Sequence, residues 1–157
     1  MAERGRALEE LGLSRLFGNA YAGRRVLVTG HTGFKGSWLA LWLQAMGAHV
    51  GGLALDPDTD PAHWDLLGLQ LEHDARVDLR DAAGVHAAVS TLQPEIVFHL
   101  AAQPLVRRSY REPVPTFDTN IGGLVHLLEA VRRCAAVRAI VVATTDKVYE
   151  VPAGPTG

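Results

Sequence analysis

Apolar positions along this chain follow two rhythms. Short continuous apolar runs alternate with longer segments in which apolar residues return every three or four positions. RRVLVT at 24–29 and AHVGGLAL at 48–55 are runs of the first kind, bounded by glycine or aspartate as buried parallel strands tend to be. Between them GSWLALWLQAMG carries leucine, tryptophan and methionine around most of a helical circumference, which predicts a helix buried on more than one side. ARVDL at 75–79 predicts a third strand, followed by a helix capped by Asp81 with Val85, Val89 and Leu92 on one face. EIVFHLAA at 95–102 reads as a fourth strand. Beyond Pro113 and Pro115, Phe117, Ile121, Leu124, Leu128 and Val131 recur at spacings of four and three, the stripe of an amphipathic helix, and RAIVVATT at 138–145 predicts a fifth strand.

Strands that alternate with helices imply right-handed crossovers and a parallel sheet covered on both faces. The expected class is α/β, a doubly wound parallel sheet in the order 3-2-1-4-5 that stops after about five strands. Residues 23–150 form this domain. Residues 1–22 form an N-terminal extension in which ALEELGLSRLF predicts a short helix, and residues 151–157, with two prolines and two glycines, predict an irregular tail.

Composition narrows the function classes. Hydrophobic residues make up 48% of the 157 and charged ones 20%, the balance of an ordinary globular domain with a sizeable core. A formal net charge of −2 with arginines scattered singly or in pairs offers no basic face for nucleic acid. No apolar run reaches the length of a membrane span, and the N-terminus carries acidic residues rather than an apolar signal core. Cys134 is the single cysteine, which excludes an internal disulfide and points to a reducing, cytoplasmic setting. The seven histidines show no metal-ligand spacing, so no metal is expected.

The chemistry concentrates where strands end. Gly30, Gly33 and Gly36 fall at the turn from the first strand into the first helix. There a dinucleotide's pyrophosphate meets unpaired N–H groups, and side chains would block its approach. Thr32, Phe34 and Lys35 lie within the same turn. Strand, turn, helix and a downstream acid agree on a Rossmann-type dinucleotide site. The acid is Asp56, twenty residues past Gly36, placed to accept hydrogen bonds from adenosine ribose hydroxyls. A 2′-phosphate there would be repelled by about 4 kcal/mol per unit charge at about 4 Å and an effective dielectric near 20. No arginine in ALDPDTDP offsets this, so NAD is expected over NADP; the competing reading is that Asp56 only opens the DPDTDP turn. Asp78 either faces the adenine, with Leu79 beside it, or is a plain strand-end residue. Leu100, Ala101, Ala102 and Gln103 after the fourth strand, and Thr144 after the fifth, complete the expected cofactor lining. Helix packing explains the small Ala101–Ala102 pair nearly as well.

VLVTGHTGFKGSW, VDLRD, FHLAAQPLVRRSYREPV, TFDTN and TTDKVY together resemble the extended short-chain dehydrogenases that act on nucleotide-linked sugars, the NAD-dependent epimerases and dehydratases. Within that family the likeness is greatest to the 4,6-dehydratases of CDP-glucose, and it runs from about Arg24 to Tyr149. Sister dehydratases of dTDP-glucose or GDP-mannose usually show glutamate where this chain has Lys147. The resemblance implies oxidation of the sugar at C4 by NAD, loss of water across C5 and C6, and return of the hydride to C6. A C5 proton is hardly acidic until a neighbouring carbonyl can hold the charge as an enolate, so oxidation has to come first.

Carried over residue by residue, the resemblance gives Thr145 a hydrogen bond to the C4 oxygen, makes Asp146 the acid for the departing hydroxyl, and puts Lys147 where the C5 base stands. Asp146 and Lys147 would then both act against their default charge states near neutral pH. Arg107 and Arg108 would reach the substrate diphosphate, and Asn120 would neighbour the site.

The chain departs from the family in two places. None of its tyrosines has a lysine four residues on: Tyr21 leads to Arg25, Tyr110 to Val114 and Tyr149 to Ala153. That pair and the sugar-binding portion are expected beyond Gly157, which predicts a truncated chain, inactive alone. Gly122 and Gly123 also stand inside a helix that each weakens by roughly 1 kcal/mol relative to alanine. The alternatives to a dehydratase portion are a noncatalytic dinucleotide-binding module and another epimerase or reductase of the family. A nucleotide sugar is the expected substrate and a homo-oligomer a further expected state.

Overall fold

β-Branched and leucine-rich runs flanked by turns pair where both faces can be covered; four do so here, and a polar edge strand joins them as the fifth. The computed structural model describes residues 13–145, and the bounds below refer to these. The strands are β1 (Arg25–Thr29), β2 (His49–Ala54), β3 (His73–Arg76), β4 (Ile96–His99) and β5 (Ala139–Val142). All pair in parallel, in the order β3-β2-β1-β4-β5. The helices are α1 (Phe34–Ala45), α2 (His63–Leu67), α3 (Ala82–Leu92), α4 (Val106–Arg111), α5 (Pro113–Phe117) and α6 (Gly123–Arg132). A π-helical turn, Asp118–Gly122, joins α5 to α6.

The period of two sorts the core. Leu27, Leu53 and Val97 face α3 and α6, meeting Val85, Val89, Leu92, Leu127 and Ala130. Val26, Val28 and Val50 face the other way, onto Ala40 and Leu43 of α1, Met46 just after it, and Trp64 of α2. The successive glycines of β2 serve both faces at once. A Cβ on Gly51 would come within 2.5 Å of Leu92 of α3, and one on Gly52 within 2.4 Å of the His31 ring.

Three expectations need correction. β3 begins and ends earlier than the apolar pattern suggests: it is an edge strand paired only with β2, and His73 and Asp74 are tolerated there without an apolar run to mark them. α1 buries one stripe, Gly36, Ser37, Ala40 and Leu43, whereas Trp38 and Trp42 are 45% and 51% exposed. The stripe Phe117–Ile121–Leu128 is turned outward, because the helix packs on the sheet through Gly123, Leu127 and Ala130 instead. Of the predicted N-terminal helix, residues 7–12 lie outside the described residues. Its described end, within Leu13–Asn19, is no regular helix, since Phe17 and Gly18 have left-handed backbone. The tail at 151–157 also lies outside.

Gly122, which ends the π-helical turn, and Gly123, which opens α6, differ in what surrounds them. A Cβ on Gly123 would lie 2.6 Å from the Leu79 side chain, whereas one on Gly122 would meet nothing within 4 Å. Gly122→Ala should therefore stabilise the domain by up to about 1 kcal/mol. Gly123→Ala should destabilise it by about 1–3 kcal/mol through overpacking. Urea unfolding midpoints of the two variants check this opposition of sign.

Candidate functional site

β1 and β4 are neighbours whose chains leave in opposite directions, α1 to one face of the sheet and the α4–α6 segment towards the other. In a doubly wound sheet such a switch point, at the carboxyl ends of the strands, is where a ligand crevice is placed. Gly30 sits at this point with φ +73°, and a Cβ there would lie 2.8 Å from the Ala101 nitrogen. The backbone after β1 thus touches the backbone after β4. Gly36 is bound to the same point, for its Cβ would overlap the Gly30 carbonyl. The Gly33 N–H donates to that carbonyl at 3.0 Å.

The hydroxyl of Thr29 fastens the crevice. It accepts from the Leu100 and Ala101 N–H groups, both at 3.2 Å, and lies 2.7 Å from Nδ1 of His99. The hydroxyl can give its own proton to Nδ1 when the imidazole is neutral and carries its hydrogen on Nε2. Burial pushes the His99 pKa below the ordinary histidine value.

α1 opens without a side-chain cap: Gly33 takes the cap position, leaving the first N–H groups to an outside acceptor. Phe34 and Lys35 are exposed beside it, and the Thr32 hydroxyl donates to the Leu55 carbonyl at 2.9 Å. An anion-shaped cradle of bare backbone therefore ends β1, and it fits a dinucleotide pyrophosphate.

Asp56 follows β2 and is 85% exposed. ALDPDTDP itself holds no arginine, but the fold brings one from outside it. Arg76, at the end of neighbouring β3, places Nη1 3.7 Å from the Asp56 carboxylate and Nη2 2.8 Å from that of Asp74. Asp74 also accepts from Nε2 of His31 at 2.9 Å. His31 is fully buried; its Nδ1 has no hydrogen-bond partner among the described residues, and its ring meets Trp64 edge-on. Burial lowers its pKa, opposed by the Asp74 carboxylate.

The remaining expected residues divide. Asp78 is clasped by Arg80 at 2.6–3.0 Å, which holds its carboxyl below the usual range. Leu79 is buried against Gly123. Asn120, inside the π-helical turn, gives both ends of its amide to the backbone of Gln103, at 2.8 and 3.1 Å, so it shapes the loop after β4. Gln103 spends its side chain on Leu105 of that same loop and on Thr116 of α5, and Ala102 is exposed beside it. Arg108 pairs with Glu112 at 2.9 Å, whereas Arg107 has no ion-pair partner among the described residues. Thr144 and Thr145 follow β5 and are exposed. Asp146 and Lys147 lie outside the described residues.

Sequence reasoning missed Thr29, His99 and the group His31–Asp74–Trp64–Arg76, whose members meet only across strands. A groove of about 320 Å³ between β3 and α3, lined by residues such as Ala75, Ala88 and Leu92, contains none of the expected site residues. Among the described residues no cluster of ligating side chains could hold a metal, and no helix is long and apolar enough to cross a membrane.

Both buried histidines are held neutral, so the unfolded chain binds more protons than the folded one just below the ordinary histidine pKa. Their contribution is present above that value and is lost as pH falls through it. Each unit of depression corresponds to about 1.4 kcal/mol at full titration. The melting temperature should drop between about pH 7.5 and about pH 5.5, before most carboxylates titrate, and His99→Asn should make the fall shallower. Thermal unfolding monitored by circular dichroism reads both.

The family model described as GDP-mannose 4,6 dehydratase matches residues 27–153. The CDP-glucose 4,6-dehydratase of Salmonella typhimurium (strain LT2) is 49% identical over 133 residues, covering 84% of this chain and 37% of that protein. The CDP-paratose 2-epimerase of Salmonella typhi is 33% identical, covering 80% and 38%. Among solved structures, the UDP-glucose 4-epimerase of Thermus thermophilus in complex with NAD matches with a TM-score of 0.66 at 36% identity, over 76% of this chain and 37% of that one. The enzyme of the same name from Stenotrophomonas maltophila, with bound NAD and formylated UDP-arabinopyranose, gives 0.65 at 29% identity, over 80% and 38%. The chain thus spans less than two fifths of the length of these relatives. Its glycine cradle at a sheet switch point, and the match over most of its length, show that the chain belongs to the GDP-mannose 4,6-dehydratase family of nucleotide-sugar dehydratases and epimerases, built on an NAD-binding fold.

Proposed function

We propose that this chain is the NAD-holding portion of a nucleotide-sugar 4,6-dehydratase that acts on CDP-glucose. The observation that carries the reading is the uncapped start of α1 beside a turn whose glycines leave no room for a Cβ. Gly30, Thr32, Gly33, Phe34, Lys35 and Gly36 would hold the pyrophosphate and Asp56 the adenosine ribose. Asp78 and Leu79 would lie at the adenine, with Leu100–Gln103, Asn120 and Thr144 along the rest. When bound, NAD supplies a reversible hydride acceptor for the sugar C4. The 49% identity to the Salmonella typhimurium enzyme favours CDP-glucose over other nucleotide sugars.

Thr145 would hold the C4 oxygen by a hydrogen bond, Asp146 would donate a proton to the hydroxyl leaving C6, and Lys147 would stand at C5. Arg107, with its guanidinium uncommitted among the described residues, suits the substrate diphosphate better than Arg108. These 157 residues contain no tyrosine followed four positions later by lysine, so cofactor binding without turnover is the behaviour we assign to the chain by itself. A cytoplasmic setting goes with that assignment. The exposed stripe of Val114, Phe117, Ile121, Val125 and Leu128 suits pairing with a second copy, which would cover both stripes by one two-fold operation.

NAD⁺ at about 100 times its dissociation constant should stabilise the chain by about 2.7 kcal/mol and raise its melting temperature by several degrees, NADP⁺ by less. Incubated with NAD⁺ and CDP-glucose, the chain by itself should give no dehydrated product by mass spectrometry. No shift with either dinucleotide would overturn the cofactor reading, and product from the chain by itself would overturn the assignment of binding without turnover. For the pairing, Ile121→Glu should lower the mass seen by sedimentation velocity; an unchanged mass contradicts it.

A further inference from the structure

We propose that Arg76 is a specificity-determining residue for the cofactor's adenosine ribose, a guanidinium that becomes a ligand for a 2′-phosphate once Asp56 no longer claims it. The proposal rests on the reading of Asp56 as the ribose ligand and adds to it a second residue, from a different strand.

Arg76 ends β3 in register with Ala54, the last residue of β2, so its side chain leaves the sheet next to the segment that carries Asp56. Three groups keep it there. Nη2 donates to Asp74 at 2.8 Å, Nη1 reaches the Leu55 carbonyl at 3.4 Å, and the guanidinium carbon lies 5.8 Å from the centroid of the Trp64 ring. None of the three involves Asp56. The contact to Asp56, at 3.7 Å, is the longer of the two ion pairs, and it is made to a carboxylate that is almost entirely in solvent. The guanidinium is therefore positioned by the fold and only loosely engaged by the residue beside the ribose.

The charges follow directly. With His31 neutral, Asp56, Asp74 and Arg76 sum to one negative charge, which accepts a ribose hydroxyl and repels a phosphate dianion. Removal of the Asp56 charge leaves Arg76 and Asp74 balanced. It also frees the Nη1 hydrogen not given to the Leu55 carbonyl for a 2′-substituent on the ribose. A planar guanidinium anchored on its far side is suited to a phosphate oxygen, and little ordering remains to be done on binding.

The test is isothermal titration of NAD⁺ and NADP⁺ into the chain and into Asp56→Asn, Asp56→Asn/Arg76→Gln and Asp56→Asn/Arg76→Lys, at one ionic strength. The parent should bind NAD⁺ more tightly. Asp56→Asn, nearly isosteric, should shift the NADP⁺ to NAD⁺ affinity ratio by about tenfold or more towards NADP⁺. Arg76→Gln in that background should remove the share of the shift that the guanidinium supplies, leaving only what relief of the Asp56 repulsion gives. If loss of the Asp74 and Trp64 contacts prevents that variant from folding, Arg76→Lys keeps the charge without the fork and should still cut the shift severalfold. An Asp56→Asn variant with an unchanged ratio, or double variants that keep the whole shift, overturn the role of Arg76 while leaving the NAD reading standing. A parent chain that binds neither dinucleotide removes both.

Discussion

The contact between the backbone after β1 and the backbone after β4 governs the rest of the site. Gly30 can lie against Ala101 only because it lacks a Cβ, and Thr29 holds the two segments together with one hydroxyl that serves two N–H donors and one imidazole. A buried hydroxyl with all its hydrogen bonds made contributes only modestly to stability. Its removal leaves the Ala101 N–H and the His99 Nδ1 without that partner, while Leu100 keeps its bond to the Thr29 carbonyl, and that is what makes the hydroxyl hard to replace. The crevice for a cofactor thus stays open through contacts beneath it, and α1 is aimed by the same turn through Gly36.

Around that point the site is assembled from segments far apart in sequence. The π-helical turn at 118–122 offers Asn120 to the backbone of Gln103, so the loop after β4 is shaped by a helix that packs on Leu79, at the end of the third βα segment. β3 contributes through Asp74, which anchors the ring next to the glycine turn, and through Arg76, which reaches the segment after β2. An edge strand with few apolar residues therefore carries much of the electrostatic character of the ribose end.

Strand number, order and the glycine cradle were legible in the sequence because each leaves a local signal: an apolar run, an alternation of elements, a spacing of glycines before a helix. Asp81 was legible as a cap for the same reason, and its carboxylate does accept from Ala83 and Gly84. What escaped involves a choice between two apolar faces or a contact across strands. Periodicity marks Phe117, Ile121 and Leu128 as one stripe but cannot say whether the sheet or the outside receives it; Gly123 and Ala130, too small to register as apolar anchors, decide that. Arg76 lies twenty residues beyond Asp56, and only the parallel register of β2 and β3 brings the two together.

The contact of His31 with Gly52 has a consequence for sequence variation. The ring fills the volume a side chain on β2 would need, and β2 in turn is bare where the ring lies. The two positions therefore share one space. A larger residue in place of Gly52 needs a smaller one in place of His31, whereas a smaller residue at 31 with Gly52 retained leaves a cavity that lowers stability. A residue beside the phosphate cradle and a residue in the middle of a core strand should accordingly covary, although one reads as a site position and the other as a scaffold position.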